Sequence, residues 1–512
     1  MVSERLNDLL TALILSAAPP GQLAEDDLVW LQEASDEEIE ALLQTLCSVE
    51  LSGVEPLNLA HVVRRLVFRL QPWMQHQRRR LSSGSLPLIV DLYSRLGADH
   101  PARPGLLQLL SSSAQPTDLA ALAELLVGDP PPNAEGVMLA VGPLLQHTDY
   151  DPAELFPRLL DAVGHQAVAA SVLDLANFLS RRQLVETHPA AERKGQLMLL
   201  LSEIVRRLEQ IEEDPDNFAQ SREALIQQID DGVALAVALC DALALIGDEE
   251  AIGKLYQAFE VRHRRVHTEA AAALARFGEE TGEQALLALA AEPVARLRVL
   301  AYAEELGFAE KIDDQYRTPS AQAEAELALW LAQPPQMGIP PTELELVDSQ
   351  TLYWPGFDEP VECFLLRFIY RVGAGQYSNI GIAGPLTHAF AADLQDLPPD
   401  DIYAAFAGWH AEHDDIYQRD VDDLVEAQRV EVARLERRLR DDRFTDVQPV
   451  QLGMFLGDRV LVAKAHREGH AGIAVTDGRD ALWFALRNPE RPITAHEAIC
   501  IYKGRRLLRE FN

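Results

Sequence analysis

The 512 residues are 48% hydrophobic and 24% charged, and they carry a formal net charge of −35. A chain of this length exceeds one compact core, so two or more structural units are expected, and the composition excludes an intrinsically disordered protein. The acidic field repels phosphate backbones, which argues against nucleic acid as a partner and for a basic or neutral protein.

At the start of the chain, MVSERLNDLLTALILSAAPP is interrupted by Glu4, Arg5 and Asp8. It reads as an amphipathic helix, not as a secretory signal. No stretch reaches the roughly 18–20 uncharged apolar residues of a membrane span, so no transmembrane segment is expected. Cys47, Cys240, Cys363 and Cys500 show neither a CxxC pair nor metal-ligand spacing. A reducing compartment fits, and a cytoplasmic location is the expectation.

From residue 1 to about 335, Leu and Ala recur at i, i+3, i+4 and i+7, the period of helices with one buried stripe. Between His61 and Arg80 a basic amphipathic segment carries Arg64, Arg65 and Arg69, then Arg78, Arg79 and Arg80. It suits peripheral contact with an anionic surface, or an ordinary packed helix whose arginines pair with the abundant acids. Further helices are read at 116–132, 151–164 and 214–247, each opened by a polar cap residue and closed by Gly.

The turn glycines Gly247, Gly278 and Gly307 then fall 31 residues (247 to 278) and 29 residues (278 to 307) apart, each followed by acidic residues and a new helix. That period matches one antiparallel helix pair per repeat, which must stack on its neighbours to bury its second apolar face. The expected fold class is mainly α: an α-solenoid over 1–333, clearest at 232–310, followed by a Pro-rich linker at 334–341 and a smaller α+β domain at 342–512.

Within the repeats, Gly247-Asp248 with Ala251-Ile252, the basic Arg264-Arg265-Val266 and the Ala-rich 270–274 recur as Gly278-Glu279, then Arg296 and Arg298, then 301–306. Over about 65 residues this pattern resembles HEAT-like repeats of the short bacterial kind seen in cyanobacterial phycobilisome lyases. The resemblance implies the fold, and implies that arginines such as Arg264 and Arg265 contribute to packing between repeats or to partner binding. As an alternative function it implies a phycobilin lyase or chromophore-handling chaperone, with a tetrapyrrole on the concave face.

Past AQPPQMGIPP, strand patterns appear at 342–347, 361–372 and 376–384, with a hairpin turn at Gly373-Ala374-Gly375. A helical stretch is read over 385–417 and a second over 420–442. The last part is read as strands: 450–456, 459–465, 472–477, 481–486 and the segment ICIYKGRRLLREF at 499–511. The segment 353–417 is similar to the tail of cyanobacterial HEAT-repeat proteins, with no activity implied.

Three candidate sites stand out. Tyr377, Asn379 and His388 surround the Gly-rich corner and are the candidates for a small pocket, although glycines there equally serve a hairpin. His410 and His413 are one helical turn apart and could contribute to a metal site; the spacing is not HExxH, and an exposed polar face is the plainer reading. Ten acids against the single basic residue Arg419 lie between Asp393 and Asp423, and Asp414, Asp415, Asp420 and Asp422 are the candidate partner contacts. No GxSxG, HExxH or Walker lysine occurs, so no catalytic residue is assigned, and an enzyme with its site near Tyr377 and His388 ranks last. No resident cofactor is expected. The function read from these features is that of a protein-interaction scaffold or assembly factor.

Overall fold

A computed structural model describes residues 4–14, 25–70, 80–214, 218, 221–373, 375–411 and 417–512. Contacts divide the chain into Met1–Leu286 and Leu287–Asn512. The first unit is helical: α1 (Glu4–Ile14), α2 (Asp36–Ser48), α3 (Pro56–Leu70), α4 (Ser85–Arg95), α5 (Arg103–Ser113), α6 (Pro116–Gly128), α7 (Ala134–Gln146), α8 (Gln166–Arg181), α9 (Lys194–Glu213), α10 (Arg222–Ile246), α11 (Ile252–Phe259) and α12 (Arg264–Arg276). Starts are set by side-chain caps: Ser35 and Glu38 form a capping box on α2, Asn133 caps α7 and Ser221 caps α10. Gly247, Gly278 and Gly307 all lie in turns at φ of 75°, 80° and 78°, the left-handed region that a Cβ disfavours.

One helix series packs each member on the next, α3 on α5, α5 on α7, α7 on α8, α8 on α10 and α10 on α12; beside it α2 packs on α4 and α9 on α11. The apolar stripes merge into one core reaching from Leu6 to Leu274. The expected helix at 151–164 is instead two short 3-10 turns, Pro152–Glu154 and Arg158–Gly164. Pro157 between them lacks the amide that a continuous helix requires.

A buried polar chain crosses this core. His188, 6% exposed, accepts from the Ala190 amide at Nδ1 (3.1 Å), so its Nε2–H donates to Asn177 Oδ1 (2.9 Å), and Asn177 Nδ2 donates to the Ala238 carbonyl of α10 (3.0 Å). Burial pushes the imidazole down to about 4. Its folded value lies below the unfolded one of about 6.5, so the unfolded chain binds the extra proton between those values and stability falls as pH drops through that window. Urea unfolding of the helical unit is expected to lose about 3 kcal/mol more between pH 7 and pH 4 in the wild type than in His188→Gln. Equal losses in the two proteins would show that His188 is not the responsible group.

In the second unit, α13 (Glu280–Leu289) spans the division, followed by α14 (Pro293–Glu305) and α15 (Pro319–Leu331). Strands β1 (Glu343–Leu352), β2 (Val361–Val372), β3 (Gly375–Ala383) and β4 (His388–Ala389) form an antiparallel sheet in that order, and α16 (Pro399–His410) follows. After β5 (Tyr417–Asp420) and α17 (Glu426–Asp441), strands β6 (Thr445–Phe455), β7 (Asp458–Arg467), β8 (His470–Thr476) and β9 (Ala481–Ala485) complete a second antiparallel sheet ordered β5 to β9, and α18 (Ala495–Phe511) ends the chain. The two halves therefore repeat one order of elements: helix, four strands, helix.

Layering explains the strand composition. Cys363 and Leu365 of β2 and Val460 and Val462 of β7 face a shared core with α16 and α18. On the far faces, Phe364, Leu366 and Phe368 meet Leu327 and Leu331 of α15, and Leu461 and Ala463 meet Val432, Leu435 and Leu439 of α17. Both faces of each sheet are covered, so β2 reads as a continuous apolar run. For the same reason α15 belongs with the sheets, and the exposed segment 334–341 lies inside the second unit, anchored where the Tyr370 hydroxyl donates to the Ile339 carbonyl (2.9 Å).

Helices α16 and α18 cross at glycines. A Cβ at Gly408 would press on the Cys500 carbonyl, and one at Gly504 on the Ala404 carbonyl, both under 3.0 Å. The contact is reciprocal, as in a two-fold interface. The segment 499–511, expected as strand, is this helix: Thr494 and Glu497 form a capping box at its start, and its apolar residues follow a helical face onto α16. The expected helix over 385–417 is confined to Pro399–His410.

Candidate functional site

Between β9 and the loop leading into α16 lies a cleft of about 420 Å³, walled by Ala481–Ala485, by 393–398 and by 487–493. Proline and backbone hydrogen bonds shape the walls. Asp393 N–H donates to the Arg491 carbonyl (3.1 Å), and Asn379, fully buried on β3, pins the 390–394 loop. Its Nδ2 donates to the Phe390 and Ala392 carbonyls (3.0 and 2.9 Å), and its Oδ1 accepts from the amides of Ile380 (2.9 Å) and Leu394 (3.4 Å). Every polar function of Asn379 is used for structure.

Charge in the cleft is arranged in pairs. Arg505 grips Asp401 with two parallel bonds, Nε to Oδ1 at 2.6 Å and Nη2 to Oδ2 at 2.7 Å. Arg491 stacks its guanidinium 4.5 Å from the Tyr377 ring centre and donates to the Ser378 carbonyl (2.9 Å) and to Asp393 Oδ2 (3.3 Å). Burial alone would raise the Asp393 carboxyl, but donors from Asn488, Gln395 and Arg491 outweigh it and hold the group below its ordinary range. Arg487 donates to the Asp396 carbonyl (2.9 Å), and Arg467 lies over the Phe444 ring at 5.1 Å. A wider groove of about 1320 Å³ shares Pro398, Asp401, Leu482 and Arg505 with this cleft and continues along α18 past Tyr502, Arg506 and Arg509.

Tyr377, Asn379 and His388 share one sheet edge, yet none of them lines either cleft. Tyr377 serves as the platform for Arg491. His388 stacks on Trp409 (4.0 Å, 10° between planes) and meets Phe390 edge-on at 5.0 Å; burial pushes its imidazole down to about 4. His410 accepts at Nδ1 from the indole N–H of the buried Trp354 (3.1 Å), a positioning contact at the end of α16. His413, with Asp414 and Asp415, lies outside the described residues. Among the described residues, no group of three or more His, Cys, Asp and Glu is placed to hold a metal ion.

Asp420 and Asp422 are exposed on β5 and the turn after it. Arg264 and Arg265 are exposed in the first turn of α12. Arg296, by contrast, joins two helices of the second unit. Nearly buried in α14, it donates to the carbonyls of Ala290 (2.9 Å), Ala291 (3.2 Å) and Ala321 (2.7 Å) and to Glu324 (2.5 Å), joining α14 to α15. Arg80 is exposed, while Arg78 and Arg79 lie outside the described residues. Burial pushes the thiols of Cys47 and Cys500 up to about 11 and that of Cys363 to about 12, so none of these three is an activated nucleophile. No described helix is long and apolar enough to cross a membrane.

The cleft has a sequence signal only in hindsight. Gly408 and Gly504 interrupt helical patterns, which marks close backbone approach, and the arginines of 487–491 sit in an acidic chain. The sequence matches no family model, no curated protein and no solved structure.

Proposed function

We propose that the protein is an interaction scaffold or assembly factor that holds a protein partner on the stacked helices of its first unit and on the acidic region of its second. The observation that carries this reading is the helix series α3, α5, α7, α8, α10 and α12, each packed on the next. Such a series is what a HEAT-like solenoid produces, and a solenoid presents an extended surface with apolar anchors. Leu199 (66% exposed) and the adjacent Met138 and Leu139 of α7 (40% and 47%) are anchors of that kind. The raised thiols and the pairing of charge in the cleft favour holding over chemistry.

Crowded like charges in the acidic run repel one another, and a basic partner relieves that cost while steering encounter. Converting Asp414, Asp415, Asp420 and Asp422 to Asn is expected to slow association with the partner isolated from the native host about tenfold at low salt and to flatten its salt dependence, with the fold unchanged. An unaltered rate and salt slope would assign the run to solubility. Visible absorbance of a co-purified tetrapyrrole would replace the scaffold reading with that of a chromophore-handling protein.

A further inference from the structure

Among the described residues, no strand pairs with the outer edge of β9. Leu486 N–H donates to the Ala471 carbonyl (2.7 Å), and β8 and β9 pair without a register shift from Gly472↔Ala485 to Thr476↔Ala481. Antiparallel ladders alternate, so the backbone groups of Leu482 and Phe484 point to β8, and those of Ala481, Trp483 and Ala485 point away from it, on a strand that lines the cleft. Proteins usually blunt such an edge with charge, proline or a bulge. At β1 the edge carries Glu343, Glu345 and a register break between Leu346 and Asp348, and β4 is two residues long. The strand Ala-Leu-Trp-Phe-Ala of β9 has none of these devices.

Charge names the occupant. Arg487 follows β9 by two residues, and Arg467 pairs in register with His470 just before Gly472, the partner of Ala485, so both arginines lie at the C-terminal end of β9. Asp393 and Asp401 are engaged with Arg491 and Arg505, which leaves these two arginines facing Asp396 in a cleft of a chain that is otherwise strongly acidic. We propose that β9 takes an added strand: an extended segment of a partner protein, rich in β-branched or apolar residues, with a carboxylate at the end that meets Arg467 and Arg487. Main-chain bonds to Trp483 and Ala485 would supply affinity and the arginines direction. This rests on the reading of the protein as a partner-holding scaffold and adds the conformation and charge of what is held.

The test is fluorescence anisotropy with a fluorescein-labelled peptide of alternating Val and Thr carrying Asp at each end, against the same peptide with Lys at each end. The wild-type chain is expected to bind the Asp-ended peptide about tenfold more tightly, and Ala485→Pro, which removes an outward amide without touching the ladder to β8, to weaken it about tenfold. Combined Arg467→Glu and Arg487→Glu should reverse the preference. These two side chains are exposed, so that variant decides the matter if Ala485→Pro melts early. Failure of the Asp-ended peptide to bind the wild type, or an unchanged preference in the charge-reversed variant, overturns the proposal. Partner association that still responds to the acidic-run substitutions would then leave the scaffold reading standing, whereas peptide binding without any such partner would remove that reading and keep the strand site.

Discussion

Replacing Gly504 with alanine is expected to destabilise the second unit by about 3 kcal/mol or more, near the upper end for an overpacked site. The reason is backbone, not side chain: the new methyl would meet the Ala404 carbonyl and its carbon on α16, where nothing can rotate away. Separating the helices would open the core that Ile402 and Phe406 share with Ile499 and Tyr502, between the two sheets. Gly408→Ala should act alike through the Cys500 carbonyl, and Gly253→Ala in α11, where a Cβ meets open space, should stay within about 0.5 kcal/mol of the wild type. Tryptophan fluorescence in urea reads this mainly from the second unit, which contains Trp330, Trp354, Trp409 and Trp483. Wild-type midpoints in Gly408→Ala and Gly504→Ala would mean that the helices are not packed backbone to backbone.

Arg296→Met should cost about 3–5 kcal/mol in the same unit. The guanidinium reaches three carbonyls and one carboxylate at once, beside the Tyr316 ring at 5.3 Å, and methionine would leave Glu324 without this cation and the Ala290 and Ala291 carbonyls without this donor. Lysine keeps the charge but not the planar fork, so Arg296→Lys is expected to recover less than half of the loss. Full recovery by lysine would show that charge alone matters at this position.

Local chemistry made much of the helical part legible. Gly247, Gly278 and Gly307 mark turns because a left-handed backbone conformation is set within a few residues, whereas the start expected at 214 lies at the cap Ser221. The β-branched and aromatic composition of β2 and the turn at Gly373 are equally local. At 499–511 a dense apolar run, whose type periodicity alone does not decide, outweighs the capping signal Thr494-x-x-Glu497 in the sequence.

Tertiary structure decided what depends on meetings between distant segments. The first Gly of the α16 and α18 pair lies 96 residues before the second (408 to 504), and only their crossing shows why both must lack a side chain. Asn379 looked available for a ligand until the 390–394 loop closed over it, and Arg491 gained its place on Tyr377 from a chain separation over which no period in the sequence carries information. The assignment of α15 to the sheets likewise turned on Leu327 and Leu331 finding Phe364 and Phe368. A single sequence encodes how each segment prefers to fold. Which faces meet, and which backbone edge is left open, is settled by burial summed over both halves of the second unit.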